Sequence, residues 1–317
     1  MRTEISGTFS CGVRRDAIGG DSMRTTLLVL LLNLLAPVAV AQGTAEVTSG
    51  SITTTDGARL HYLEAGTGAA ILFVPGWTGA AGFWEAQIHY FAGSYRVVAI
   101  DPRSQGDSSK VLEGNYRERR AQDLKEAIDQ LHLAPVVLVG WSMAVGEVLS
   151  LVDQFGTSDL QALVLVDGPV TINPDAQARG QELLRALQDV HQMQLNRADY
   201  VSRQARTMFN KPHTEEFYQR VIAANLKTPT DVAAILWMNQ RVRDYRPVLQ
   251  RVDKPVLFFS QDEPGRLIHA EVVKQEIPAA RIEVFNDSGH ALFMDEPERF
   301  NAVMEDFLRN QAREEDQ

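Results

Sequence analysis

Thiols are almost absent from this 317-residue chain. Its one cysteine, Cys11, stands upstream of every segment with a folded pattern. A disulfide framework is therefore excluded, and stability has to come from a buried core. Basic charge is also scarce. Lys and Arg number 31 against 41 Asp and Glu, a net charge of −10, which argues against a nucleic-acid partner because phosphate binding needs a clustered basic surface. Apolar runs are short. The longest, Leu27 to Leu35, falls short of a bilayer span and is broken by Asn33, with Pro37 just beyond, so no stable membrane anchor is expected. Internal repeats, low-complexity tracts, metal-ligand clusters and the dinucleotide fingerprint are missing as well. "EAGTGAA" precedes a strand instead of following one, so it reads as a turn and not as a phosphate loop. No cofactor or metal is expected.

What is present begins at Met23. "MRTTLLVLLLNLLAPVAVAQ" offers an arginine, an apolar stretch and Ala39-Val40-Ala41, the three regions of a secretory signal. The expectation is export, to a periplasmic or extracellular destination, with cleavage near Ala41. Met1 to Ser22 are polar and sit awkwardly ahead of such a signal, so Met23 is taken as the true start. No cysteine follows Ala41, which excludes lipid attachment there.

Past residue 42 the pattern is that of a layered α/β domain. "SITTTDGARLHYLEAG" alternates as an antiparallel pair. Then "AAILFV", "YRVVAI", "VVLVG" and "ALVLVD" alternate with helical segments around 84–91, 116–131 and 141–155. These strands are apolar on both faces, as parallel strands covered by helices must be. Alternation stops at Pro169. Helical periodicity, such as Leu183, Leu184, Leu187, Val190 and Met193, fills the next stretch. Strands resume at "KPVLFFS" and "ARIEVFN", and a last helix follows Pro297. The expected fold is α/β, a doubly wound, mostly parallel sheet with a helical cap inserted after the sixth strand. The expected boundaries are 1–41 for the upstream segment and signal, 42–168 and 248–317 for the two parts of the core, and 169–247 for the cap.

The chemistry concentrates at "VVLVGWSMAVGEV", residues 136–148. A strand, then Gly-x-Ser-x-Ala, then a helix is the pattern of a serine held up on a strained turn. Gly140 and Ala144 are small so that strand and helix can pass closely. The amide of Met143, next to the hydroxyl, points at the same reacting oxygen. A serine needs a base, since its own pKa leaves it protonated. Among the seven histidines, His290 follows the last strand and precedes the last helix, at the edge where a doubly wound sheet presents residues to ligands.

With these residues the chain resembles the α/β-hydrolase family, its esterase and non-haem haloperoxidase branch. "VPGWTGAAGFW" (74–84) is similar to the family's oxyanion loop, with Pro75 where a histidine is more usual. "DPRSQGDS" (101–108) is similar to its D-x-R-G-x-G-x-S turn, with Ser104 in place of a glycine. "SGHALFMDEPERF" (288–300) is similar to the segment around the family's catalytic histidine. The resemblance implies a cofactor-free serine hydrolase of carboxylic esters, with Ser142 as nucleophile, His290 as base, and the Trp77 and Met143 amides as oxyanion donors. The third member stays open. The family's usual register, counted from Pro255, lands on Pro264, which cannot serve, with Asp262 nearby. A minority of the family takes the acid from the end of the sixth strand, where this chain has Asp167, and Asp167 is preferred over Asp262. Asp101 with Arg103 is read as a turn tie, and Asp295 as serving the start of the last helix. Met193, Met208, Phe209, Phe217, Trp237 and Met238 of the cap stand at helical spacings that make most of them cap core; some, with Trp77, Phe83 and Trp141, are candidates for an apolar acyl pocket, and which ones is not readable. The expected partner is a small ester; oligomeric state is not readable. Perhydrolase or haloperoxidase-like activity on the same triad, or a silent ligand-binding protein, are the competing functions.

Overall fold

The computed structural model describes residues 45–315. The expected signal segment, the expected cleavage point near Ala41, and Cys11 lie outside the described residues. Among those described, no helix is long and apolar enough to cross a membrane.

β1 (Thr48–Thr53) and β2 (Arg59–Ala65) form the expected antiparallel pair, followed by β3 (Ala70–Val74), a 3-10 turn at Ala81–Trp84, α1 (Glu85–Phe91) and β4 (Arg96–Ile100). Then come α2 (Arg117–Gln130), β5 (Val136–Trp141), α3 (Met143–Phe155) and β6 (Leu160–Val166). The insertion carries α4 (Ala176–Leu195), α5 (Arg197–Thr207), α6 (Glu215–Leu226) and α7 (Thr230–Asn239). The core resumes with α8 (Arg246–Leu249), β7 (Val256–Gln261), α9 (Pro264–Glu276), β8 (Arg281–Phe285), α10 (Leu292–Asp295) and α11 (Pro297–Glu315). The eight strands run in the order β1-β2-β4-β3-β5-β6-β7-β8, and every pairing from β4 to β8 is parallel.

Strand side chains alternate between two cores, as a period of two requires. On β3, β5 and β7, Leu72, Val74, Leu138 and Phe258 face one side, where α2, α3 and α9 pack. Their neighbours Ile71, Phe73, Val139 and Phe259 face the other, with Trp84, Phe293 and Phe300. That double burial is why these strands read as continuous apolar runs.

The cap leaves the sheet after Val170 and returns at Tyr245, whose amide donates to the Val170 carbonyl at 3.0 Å and closes the base of the insertion. Its helices start at side-chain caps: Asp175, Asn196 and Thr214 each accept from an amide three residues on. The α4 stripe differs from the sequence pattern. Ala186 and Met193 are buried, but Leu184 and Leu187 are exposed, because α4 packs on α5 and α7 along a narrower face than its periodicity offers. The helix α9 is also new. Pro264 stands in its first turn, where a missing N–H costs nothing.

Candidate active site

Ser142 follows β5 directly and caps α3, with φ 57° and ψ −119°. A side chain is rarely held in that region, and the conformation stores strain of roughly 1–3 kcal/mol. The bend is held by close packing. A Cβ on Gly140 would come within 2.8 Å of Val148 Cγ2 and 2.9 Å of the Ala144 carbonyl. Gly76, from the loop after β3, lies so near that a Cβ there would sit 2.8 Å from Ser142 Cβ.

His290 reaches the serine from the loop after β8. Its Nε2 is 2.8 Å from Ser142 Oγ, and its Nδ1 is 2.6 Å from Asp167 Oδ2. With the carboxylate ionised, Nδ1 carries the proton and Nε2 is free to accept the serine hydroxyl. Asp167 stands at the end of β6 with φ 45°. Its amide donates to the Phe259 carbonyl at 2.8 Å, and its Oδ1 accepts the Gln261 amide at 3.0 Å. Asp262 is exposed, on the turn into α9, and its amide donates to the Phe285 carbonyl. The structure thus brings Ser142, His290 and Asp167 together and leaves Asp262 outside the array.

Charge is balanced across this line. Burial alone would raise the Asp167 carboxyl, but the hydrogen bond and charge of His290, the Arg266 guanidinium and the Gln261 amide outweigh it and hold the carboxyl below its ordinary value. Burial, then the positive charge of Arg266, pulls the His290 imidazole below its ordinary value despite Asp167. Nearby His269 is pushed down to about 4 by burial and by Arg266, so it is neutral at pH 7.

The amides of Trp77 and Met143 have no hydrogen-bond partner among the described residues. Met143 also opens α3, whose positive end favours a developing anion. The Trp77 loop is fixed from both sides. Trp77 Nε1 donates to the Ala233 carbonyl of the cap at 2.8 Å, and Thr78 Oγ1 bonds Asn225. From below, Gln105 Nε2 donates to the carbonyls of Gly76 at 3.0 Å and Gly79 at 2.8 Å. Gln105 Oε1 accepts from Arg120 Nη2 at 2.8 Å, and Arg120 Nε pairs with Glu147 of α3 at 2.6 Å. All three side chains are buried. This chain of bonds ties the Trp77 loop to the helix that Ser142 caps. Gln105→Leu is therefore expected to lower kcat roughly tenfold to a hundredfold, less than the ~10²- to 10³-fold loss of an oxyanion donor itself. KM should stay within a few-fold. Steady-state kinetics beside a thermal melt would check it; a shift confined to KM would contradict it.

Two readings from the sequence need correction. Arg103 does not join Asp101. It pairs with Asp123 of α2 and with Asp56, while Asp101 accepts from the amides of Ala81 and Asp107 and from His61. Asp295 does not serve the last helix. Its carboxylate takes the Gly289 amide at 2.7 Å, the Asn210 amide at 2.8 Å and His213 at 2.9 Å, tying the histidine loop to the cap. The pocket takes some of the candidate residues and leaves others to the core. A cavity of about 500 Å³ holds Ser142 and His290 with Trp77, Trp141, Met208 and Trp237. Met193 belongs to the cap interior, as its helical spacing suggests, and Phe83 and Phe217 line a separate hollow. Arg241, Arg266 and His269 line the active cavity too, and the sequence reading passed over them. "PGR" after a strand was the available signal for Arg266. Among the described residues, His61, Asp101 and Asp107 cluster closely enough to ligate a metal. Their acceptors are already engaged, Asp101 as above and Asp107 by Lys227 at 2.6 Å.

The sequence model of the alpha/beta hydrolase family matches residues 71–303. The chain belongs to that family. As a hydrolase-fold protein it is 29% identical over 280 residues to the non-heme chloroperoxidase CPO-A1 of Kitasatospora aureofaciens, covering 81% of this chain and 98% of that protein. It is 32% identical to the bifunctional esterase/perhydrolase DCH of Acinetobacter calcoaceticus over 135 residues, 40% of this chain and 49% of that one. Among solved structures, the esterase EaEST of Exiguobacterium antarcticum superposes with a TM-score of 0.76 at 24% identity, covering 83% of this chain and all of that one.

Proposed function

We propose that this alpha/beta hydrolase cleaves carboxylic esters through an acyl-enzyme on Ser142. The observation that carries the reading is the continuous hydrogen-bonded line from Ser142 Oγ through His290 to Asp167. Ser142 Oγ attacks the ester carbonyl as His290 Nε2 takes its proton. The carbonyl oxygen, now negative, is received by the amides of Met143 and Trp77. His290 returns the proton to the leaving alkoxide. Water, deprotonated by the same imidazole, then releases the acid and restores the serine. Asp167 holds the ring in the working tautomer and stabilises the imidazolium. No cofactor enters these steps. Serine at this position argues against the aspartyl-ester chemistry of dehalogenases and epoxide hydrolases. Export, with cleavage near Ala41, remains part of the proposal, and the N-terminus of the secreted product would test it.

A second reading is favoured by the relatives named for peroxidase and perhydrolase activity. Hydrogen peroxide in place of water would attack the same acyl-enzyme and release a peracid. Labelling by a fluorophosphonate, located by mass spectrometry, tests the acyl-enzyme for both. An adduct on Ser142 is expected, and an unlabelled protein would mean a silent binding fold.

The depressed His290 pKa makes a further expectation. The base has to be neutral, so activity should persist at pH values below the ordinary histidine range, about 6.5. Arg266→Met removes a positive charge that disfavours the imidazolium. The His290 pKa rises, and the acidic limb of kcat/KM should move to higher pH. A limb that stays put or moves lower would rule out the electrostatic role of Arg266.

A further inference from the structure

We infer that the cavity beside Ser142 is built for an ester whose other end carries a carboxylate, with the Arg241 guanidinium as its anchor. This rests on the reading of Ser142 as nucleophile, and it adds the substrate's charge.

Arg241 follows α7 and lines the same cavity as Ser142 and His290. Its Cζ lies 3.9 Å from the centre of the Trp237 ring, and its Nη1 donates to the Trp237 carbonyl. Stacking of this kind fixes the plane of the guanidinium and leaves its remaining N–H groups to face outward. Among the described residues, no carboxylate lies within 4.0 Å of it. Asp189 on α4, whose charge attracts Arg241 from beyond that distance, accepts from Trp237 Nε1 at 3.2 Å. Burial pulls the Arg241 pKa below the ordinary arginine value. Asp189 and Glu182 attract Arg241 only from beyond contact; a cation partly removed from water with no carboxylate in contact is costly, and a ligand carboxylate relieves that cost.

The rest of the lining points the same way. Arg266 adds a second guanidinium, with its Nε 3.6 Å from Asp167 Oδ2. Asp167 is itself buried behind His290 and bonded to it. His269 is neutral. Among the described residues of the lining the carboxylate is Glu182, which is exposed and hydrogen-bonded to Asn173. Arg266 is thus partly neutralised by Asp167, and Arg241 is the cation of the lining with no carboxylate in contact among the described residues. Between them, Trp77, Trp141, Trp237 and Ile268 supply an apolar middle. A bidentate pair with a planar guanidinium gives orientation as well as affinity. The substrate that fits is a short chain with an ester at one end and a carboxylate at the other, such as the monoester of a dicarboxylic acid.

The test separates binding from chemistry. Titration calorimetry on Ser142→Ala protein, with monomethyl glutarate and dimethyl glutarate as probes, reads recognition without turnover. The monoester is expected to bind at least tenfold tighter, and the advantage should shrink with added salt. Adding Arg241→Gln should erase it, and Arg241→Lys, which keeps the charge but not the fork, should restore part of it. Thermal melts of each variant show whether the fold is kept, and the Lys variant stands in if the Gln variant does not fold. Equal or weaker binding of the monoester overturns the inference, as does an advantage that survives loss of Arg241. Turnover of both esters by the unmodified enzyme is scored separately. Failure to hydrolyse either one, with no fluorophosphonate adduct, removes the hydrolase reading and leaves the binding comparison to decide the charge preference.

Discussion

Ser142→Ala should lower kcat for a short nitrophenyl ester roughly 10⁶-fold, the scale seen when a serine nucleophile is deleted from an intact array. What survives would come from the oxyanion amides and from binding, which act without a nucleophile. The fold should persist, because the side chain reaches out of the strand–helix bend into the cavity, where it meets His290. Backbone strain offers a control within the same experiment. At φ 57° glycine is at ease and alanine is not. Ser142→Gly should therefore be as inactive as Ser142→Ala and more stable, by about 1 kcal/mol. Rates at several enzyme concentrations and a denaturant titration of each variant would check both. An alanine variant that keeps a hundredth of the parent activity would mean that the chemistry lies elsewhere.

Asp167→Asn should cost about 10⁴-fold in kcat, as changing the triad carboxylate to an amide does when the imidazole is left in the wrong tautomer. Asparagine keeps the volume and can still accept the Gln261 amide, but the NH₂ it presents to Nδ1 favours a proton on Nε2, where the serine hydroxyl needs an acceptor. Asp262→Asn should change the rate by less than about twofold, in keeping with a surface substitution away from any buried contact. Measuring the two side by side matters more than either alone. A crippled Asp262 variant beside an active Asp167 variant would reverse the assignment of the acid.

The elbow and the histidine loop were legible because each is a local pattern. A glycine, a serine and an alanine at fixed spacing between strand and helix encode a bend, and a histidine between the last strand and the last helix has few places to go. The sheet was legible because strands buried on both sides cannot alternate. The acid was harder. Its position depends on a long-range pairing, Asp167 N to the Phe259 carbonyl across two strands, and the register count ran into Pro264. That proline has a physical meaning the count did not supply: it starts α9. Arg103 and Asp295 were misassigned for a related reason. Both sit near a plausible partner in sequence and bond instead to residues brought by other elements, Asp123 from α2 and Asn210 and His213 from the insertion. Sequence neighbours are the cheapest partners to imagine, and a folded chain has many others. The cationic lining was invisible because Arg241 follows the last helix of the insertion and Arg266 lies in α9 of the core, and only their packing sets both along one cavity.

The histidine loop leans on the insertion at several points. The Ala291 amide donates to the Met208 carbonyl at 3.1 Å, a Cβ on Gly289 would strike that same carbonyl at 2.4 Å, and Asp295 clasps Gly289 together with Asn210 and His213. A trimmed version of this protein, shorn of residues 169–247 to widen its mouth for bulky guests, would therefore lose the contacts that brace the loop of His290. Engineers seeking a roomier catalyst should whittle the outer flank of the insertion and spare the 208–213 hinge-post.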